Sequence, residues 1–223
     1  LSLLEKSFKN KRALEKRTIE HNYKPIKINL KEPKIFVVNR KREQICLAFS
    51  FPIFNIYDKK KYDLDVLENI LYGNMTSRLW LALRDINPIV YGLKVYSYLY
   101  EEIGIFRIRL TFDAHKIEKT FEILSKELKK IKRELVNKKE LDLVKNIIVK
   151  TLNMDADDNM ELAEHYGNML CLDEEIVNYK NLIQKYNSVT AKDIKKLCNE
   201  IMDFNNCLII QIGQIKKDRI TKL

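Results

Sequence analysis

The chain has 223 residues, 46% of them hydrophobic and 32% charged, a balance that suits a globular body with one sizeable core or two modest ones and excludes a disordered chain. Its excess of Lys and Arg gives a net charge of +10, which permits attraction to nucleic acid or acidic surfaces without establishing it. The longest apolar runs, such as Cys207-Leu208-Ile209-Ile210, stop well short of the roughly 20 residues that a bilayer span requires, so no membrane partner is expected.

Leu1 to Arg17 carries Lys and Arg throughout and has no uninterrupted apolar core, unlike a secretory signal. The chain starts on Leu rather than Met and reads as processed or excised from something longer. Residues 1–32 are expected to be a helix remnant, with Leu1, Leu4, Phe8 and Ala13 at a broken helical period, followed by a basic connector containing Pro25. Residues 33–223 are expected to form the folded domain.

Lys34–Asn39 and Gln44–Phe51 are apolar runs of strand length around the charged turn Arg40-Lys41-Arg42-Glu43. Asp63–Leu71 places Leu64, Leu67, Ile70 and Leu71 on one helical face, and Gly73 is expected to stop that helix. A helix over Thr76–Ile86 follows, with Thr76 or Ser77 as its cap and Leu79, Leu83 and Ile86 on its buried side. Two strands, Tyr91–Tyr100 and Gly104–Phe112, flank Glu101-Glu102. The second alternates Phe106, Ile108, Leu110 and Phe112 with Arg107, Arg109 and Thr111, the pattern of a sheet with one solvated face.

Asp113 is expected to cap a long helix whose buried stripe is Ala114, Ile117, Phe121, Leu124, Leu128, Ile131 and Leu135. Asn137 and Glu140 have capping-box spacing before a helix through Thr151, with Leu141, Val144 and Ile148 inside. Helices over Met160–Cys171 and Glu174–Tyr186, a last helix boxed by Thr190 and Asp193, and a strand over Asn206–Gly213 complete the order. The order β-β-α-α-β-β-α-α-α-α-α-β predicts an α+β domain, a largely antiparallel mixed sheet layered with helices. Cys46, Cys171, Cys198 and Cys207 lie far apart with no C-x-x-C pair, each in an apolar segment. They read as buried reduced thiols of a cytoplasmic or other reducing compartment, an organelle or a viral origin included.

One stretch concentrates the functional signal. Gly73-Asn74-Met75-Thr76-Ser77-Arg78-Leu79, then Leu83-Arg84, then Tyr91 seven positions on, make a Gly turn, a Ser-Arg-Leu helix start, an arginine near the helix end and a tyrosine opening the next strand. Together with Val189-Thr190-Ala191-Lys192-Asp193-Ile194 and the closing strand, this order resembles the second half of the M16 zinc metallopeptidases, the pitrilysin and mitochondrial processing peptidase group, over about Lys34 to Gly213. The resemblance implies the M16 and LuxS-like metallohydrolase fold. It further implies a role as the non-zinc half of a metalloendopeptidase, which contributes peptide binding while a catalytic half, in the same polypeptide or a partner subunit, carries the zinc. Arg84 and Tyr91 are then the substrate-binding and transition-state contacts. Two departures stand beside the match: Asn74 follows a single glycine, and Pro88 replaces a glycine usual before the tyrosine, which predicts a different path for that turn.

The catalytic half of that family uses a His-x-x-Glu-His helix, and this chain has none: no two of His21, His115 and His165 stand four residues apart. Glu161-Leu162-Ala163-Glu164-His165 has Glu in place of the first His and reads as a solvated helix face. Asp65-Val66-Leu67-Glu68-Asn69 falls where the resemblance places the zinc helix in the other half, with Asp65 and Asn69 instead of histidines. No metal ligands, no catalytic residues of its own and no cofactor are therefore expected in this chain, and zinc is expected in the other half. No Gly-x-Ser-x-Gly elbow or Gly-rich phosphate loop occurs. The Lys126–Lys139 cluster lacks the interleaved aromatics that stack bases, so nucleic acid is not favoured as a partner. The main rival reading is a catalytically inactive scaffold subunit like the processing-peptidase-related core proteins.

Overall fold

The computed structural model describes residues 24–172 and 175–214. The expected N-terminal helix remnant lies outside the described residues, and residues 24–30 run without helix or strand, tied down where the Ile26 N–H donates to the Glu102 carbonyl at 2.9 Å.

Among the described residues five strands form one sheet: β1 (Lys34–Val38), β2 (Gln44–Ile53), β3 (Val90–Leu99), β4 (Gly104–Asp113) and β5 (Leu208–Ile212), in the spatial order β1-β5-β2-β4-β3. Only the β1–β5 pair is parallel. Period-two alternation sends Ile45, Leu47, Phe49 and Phe51 of β2, Leu93 and Val95 of β3 and Phe106, Ile108, Leu110 and Phe112 of β4 to one buried side. The helices pack there, and Phe49 meets Phe121 edge-on with ring centroids 5.5 Å apart. The other side carries Arg107, Arg109, Lys94, Tyr96 and Tyr98, so the chain folds as an α+β domain with the solvated sheet face expected from the β4 alternation.

The helices are α1 (Lys61–Tyr72), α2 (Arg78–Trp80), α3 (Ile117–Arg133), α4 (Lys138–Asp155), α5 (Asn159–Cys171), α6 (Tyr179–Ser188) and α7 (Ala191–Ile201). The capping box at Thr190 and Asp193 forms as expected. Gly73 stops α1 as expected, in a right-handed conformation, and glycine is required by space, since a Cβ there would lie 2.7 Å from the Asn69 Cα and 2.8 Å from its carbonyl oxygen. Other ends differ from expectation for identifiable reasons. Neither Thr76 nor Ser77 caps α2; both hydroxyls turn back onto Asn74, Thr76 to its side chain at 2.6 Å and Ser77 to its carbonyl at 2.6 Å. Asn137 caps α4, but Glu140 does not close a box, because its carboxylate is taken by Arg78, with Nε to Oε1 at 2.7 Å and Nη2 to Oε2 at 2.8 Å. That bidentate pair clamps α2 to α4. Leu135 lies beyond the end of α3 and is exposed, and the helix expected over Glu174–Tyr186 starts later, at Tyr179, capped by Asn178. Of the cysteines, Cys198 and Cys207 are buried, and burial pushes their thiols up to about 12; Cys46 is half-buried and Cys171 exposed.

Candidate functional site

After Trp80 the second helix widens into a π turn over Leu81–Asp85, in which the Ile86 N–H donates to the Leu81 carbonyl at 2.8 Å. An ordinary helix would align Leu79, Leu83 and Ile86. The wider turn delays the rotation, so Leu79 and Leu83 are buried while Ile86 is 72% exposed, contrary to expectation. The Asn87 amide ties the end of the turn by donating to the Ala82 carbonyl at 2.9 Å. Arg84 emerges exposed from the π turn, and its guanidinium carbon sits 4.4 Å from the centre of the Trp80 ring, which packs in turn on Tyr72 at 5.9 Å.

Tyr91 owes its position to a second irregularity. Val90 pairs with Phe112 and Gly92 with Thr111, leaving Tyr91 as the extra residue of a β-bulge. The bulge turns the phenol out of the ladder, where it is 54% exposed and its hydroxyl donates to Asp113 Oδ2 at 2.9 Å. Lys116 completes the group, 3.5 Å from the Asp113 carboxylate and 5.8 Å from the centre of the Tyr91 ring. The hydrogen bond to Asp113 is the main cause that raises the Tyr91 phenol above its ordinary value, so it is a proton donor across the neutral range. Asp113→Asn is expected to return the phenol toward the ordinary range, read by ultraviolet titration.

Arg84 and Tyr91 therefore lie on consecutive, exposed, irregular segments, each steadied by a different neighbour. Three residues of this arrangement were missed at the level of sequence: Trp80, which supports Arg84; Asp113, read there as a helix cap although its side chain makes no cap bond; and Lys116. The Trp80–Arg84 spacing of four was a visible signal, whereas Asp113 and Lys116 reach Tyr91 only through the β3–β4 register.

The α1 residues at the zinc-helix position do not fit a metal. The Tyr186 hydroxyl donates to Asp65, Asn69 spends its amide on the Asp65 carbonyl at 2.9 Å, and Glu68 is directed toward β3 beside Ser97. Among the described residues no group of three or more His, Cys, Asp or Glu is placed to hold an ion. His165 faces the Val177 carbonyl at 2.8 Å and the Tyr179 ring at 4.6 Å, a packing role between α5 and α6.

Burial raises the Asp65 carboxyl to about 6 and that of Glu68 to about 7, the Tyr186 and Ser97 hydroxyls offsetting part of the effect. Glu68 Oε1 is buried without a hydrogen-bond partner. Between the ordinary carboxylate range and about 7 the folded chain binds more protons than the unfolded chain, so stability falls as pH rises through that window. Glu68→Gln is expected to stabilise the fold at pH 8 by about 2 kcal/mol, after discounting for residual solvent contact, and to have no effect near pH 4. Urea denaturation at the two pH values measures the difference.

A sequence profile described as the peptidase M16 inactive domain matches residues 1–148. The chain belongs to the M16 inactive-domain family. Among curated relatives, the uncharacterized zinc protease YmxG of Bacillus subtilis is 25% identical over 179 residues, covering 79% of this chain and 44% of the relative. An uncharacterized zinc protease of Streptomyces coelicolor is 20% identical over 191 residues, 85% of this chain and 41% of the relative. This M16 domain thus spans less than half the length of the curated relatives it matches. Among solved structures, a protease from Helicobacter pylori superposes with a TM-score of 0.81 at 17% identity, over 96% of this chain and 51% of that one. The M16 inactive domain from Pseudomonas fluorescens gives 0.76 at 17% identity, over 86% and 46%. The fold of the M16 inactive domain is shared with both. No helix among the described residues is long and apolar enough to cross a membrane.

Proposed function

We propose that this M16 inactive domain is the non-zinc half of a metalloendopeptidase, binding peptide and offering Arg84 and Tyr91 to a reaction centre carried by a catalytic half in the same polypeptide or a partner subunit. The observation that carries the reading is the pairing of two backbone irregularities, a π turn at Arg84 and a β-bulge at Tyr91, that together expose a guanidinium and a phenol. Such irregularities weaken regular hydrogen bonding and are over-represented at functional sites.

In this reading the catalytic half supplies zinc, a Lewis acid for peptide hydrolysis. This chain supplies positioned donors. Tyr91, protonated at working pH, donates to the carbonyl oxygen as negative charge develops, and its hydroxyl exchanges Asp113 for that oxygen. Arg84, held on Trp80, offers a planar fork to a backbone carbonyl or to the same charge. The test is peptide cleavage by the two assembled halves carrying Arg84→Ala or Tyr91→Phe. Unchanged rates would remove both residues from the reaction, and an assembly that cuts no peptide would favour the inactive scaffold.

A further inference from the structure

On the solvated face of the sheet, β3 and β4 bring three cations together. Lys94 pairs directly opposite Arg109, and Tyr96 opposite Arg107. Lys94 and Arg109 are exposed. The Arg107 fork rests on neutral partners, with Nε donating to Ser50 Oγ at 3.0 Å and Nη1 to the Tyr96 hydroxyl at 3.4 Å. Arg109 Nε points at Cys46 Sγ, 3.3 Å away. Among the described residues no ion pair involves any of the three, and Asp113, the carboxylate on the same side of β4, is already engaged by Tyr91 and Lys116.

Like charges directly opposite on an antiparallel pair destabilise the sheet, and with Arg107 set on two hydroxyls and Arg109 on a thiol neither guanidinium charge is compensated. This arrangement becomes favourable when an anion lies over it. We infer that Lys94, Arg107 and Arg109 form a subsite for aspartate or glutamate side chains of an extended peptide. The inference rests on the proposed peptide-binding role and names the substrate class it selects. Lys94 lies three residues along the same strand from Tyr91, about 10 Å at about 3.3 Å per residue, so a peptide held at Tyr91 reaches the patch within a few residues.

Single-stranded nucleic acid is less well matched, although tyrosines accompany the cations. The Tyr96 ring lies under the Arg107 guanidinium at 5.8 Å and against Tyr98 at 5.3 Å, while Tyr98 and Tyr100 stay about half exposed; the peptide is favoured because the patch is continuous along β3 with Tyr91, and an oligouridine is the competing outcome of the test.

The test uses the full-length protein and fluorescence anisotropy with labelled extended peptides identical except for Glu, Gln or Lys at three positions, beside a labelled oligouridine. At low salt, about 50 mM, the Glu peptide is expected to bind at least about tenfold more tightly than the Gln peptide, the advantage shrinking as salt screens the patch. Lys94→Glu should abolish the preference without lowering Tm, because it turns a like-charge cross-strand pair into an attractive one. Lys94→Glu with Arg109→Glu should transfer the preference to the Lys peptide. Equal binding of the Glu and Gln peptides, a preference that survives the double reversal, no peptide binding, or tighter binding of the oligouridine would each overturn the inference. Cleavage of the same peptides by the assembled halves is read separately: charge-selective binding without cleavage sinks the peptidase role and leaves the subsite, and cleavage without charge preference does the reverse.

Discussion

In the proposed peptidase assembly, Tyr91→Phe is expected to lower kcat/KM about a hundredfold, with most of the loss in kcat, because a donor that bonds the substrate oxygen only as charge develops contributes to the transition state and not to the ground state. The ring remains to fill its place, so Tm should change little. Arg84→Ala is expected to have an effect of similar size but divided between KM and kcat, since a guanidinium holding a backbone carbonyl also binds the ground state. Arg84→Lys should recover only part of it, because an ammonium keeps the charge but loses the planar fork that stacks on Trp80 at 4.4 Å. Steady-state kinetics on one fluorogenic peptide separate these outcomes. A Tyr91→Phe enzyme with unaltered kcat would show that the phenol serves the bulge and Asp113 alone.

The largest expected effect on stability falls on Arg78. Its side chain is only 13% exposed, it makes a bidentate pair with Glu140, and its third nitrogen, Nη1, is buried with no partner. The Glu140 carboxylate is the main cause holding the guanidinium above its ordinary value. Glu140→Ala leaves that cation buried and uncompensated, at an expected cost of about 3 kcal/mol in urea denaturation. Arg78→Met combined with Glu140→Leu, which fills the same space with apolar groups, should restore much of that loss. Because the pair clamps α2 to α4 and α2 leads into the Arg84 turn, Glu140→Ala is also expected to loosen Arg84 and raise KM. The Ser-Arg-Leu arginine, Arg78, is thus a structural clamp, whereas Arg84, six residues on, is exposed.

Much of the fold was legible because it depends on short-range patterns. The alternation in β4 identified both its buried and its solvated side, and the Thr190–Asp193 box marked a helix start, since each is written in neighbouring residues. Misreadings came where a side chain had a better partner far along the chain. Asp113 and Glu140 both have the chemistry and position of capping residues. Both instead serve distant groups, Tyr91 and Arg78, because a charge-assisted bond to a side chain outcompetes a cap that water can replace. Ile86 was misplaced because a helical period assumes a constant number of residues per turn, and the π turn breaks that constancy.

Residue types and their order along the chain were enough to assign the layered α+β fold, and they put Arg84 and Tyr91 forward as the candidate contacts. Those are properties of composition and local spacing. What only the tertiary structure decided is how the two residues are presented: a bulge exists only relative to a partner strand, Lys94 opposes Arg109 only in one register, and Asp65 and Glu68 titrate high only once other elements exclude water from them. Each of these depends on contacts between residues remote in sequence, whose energies arise on packing and have no counterpart in the isolated segment.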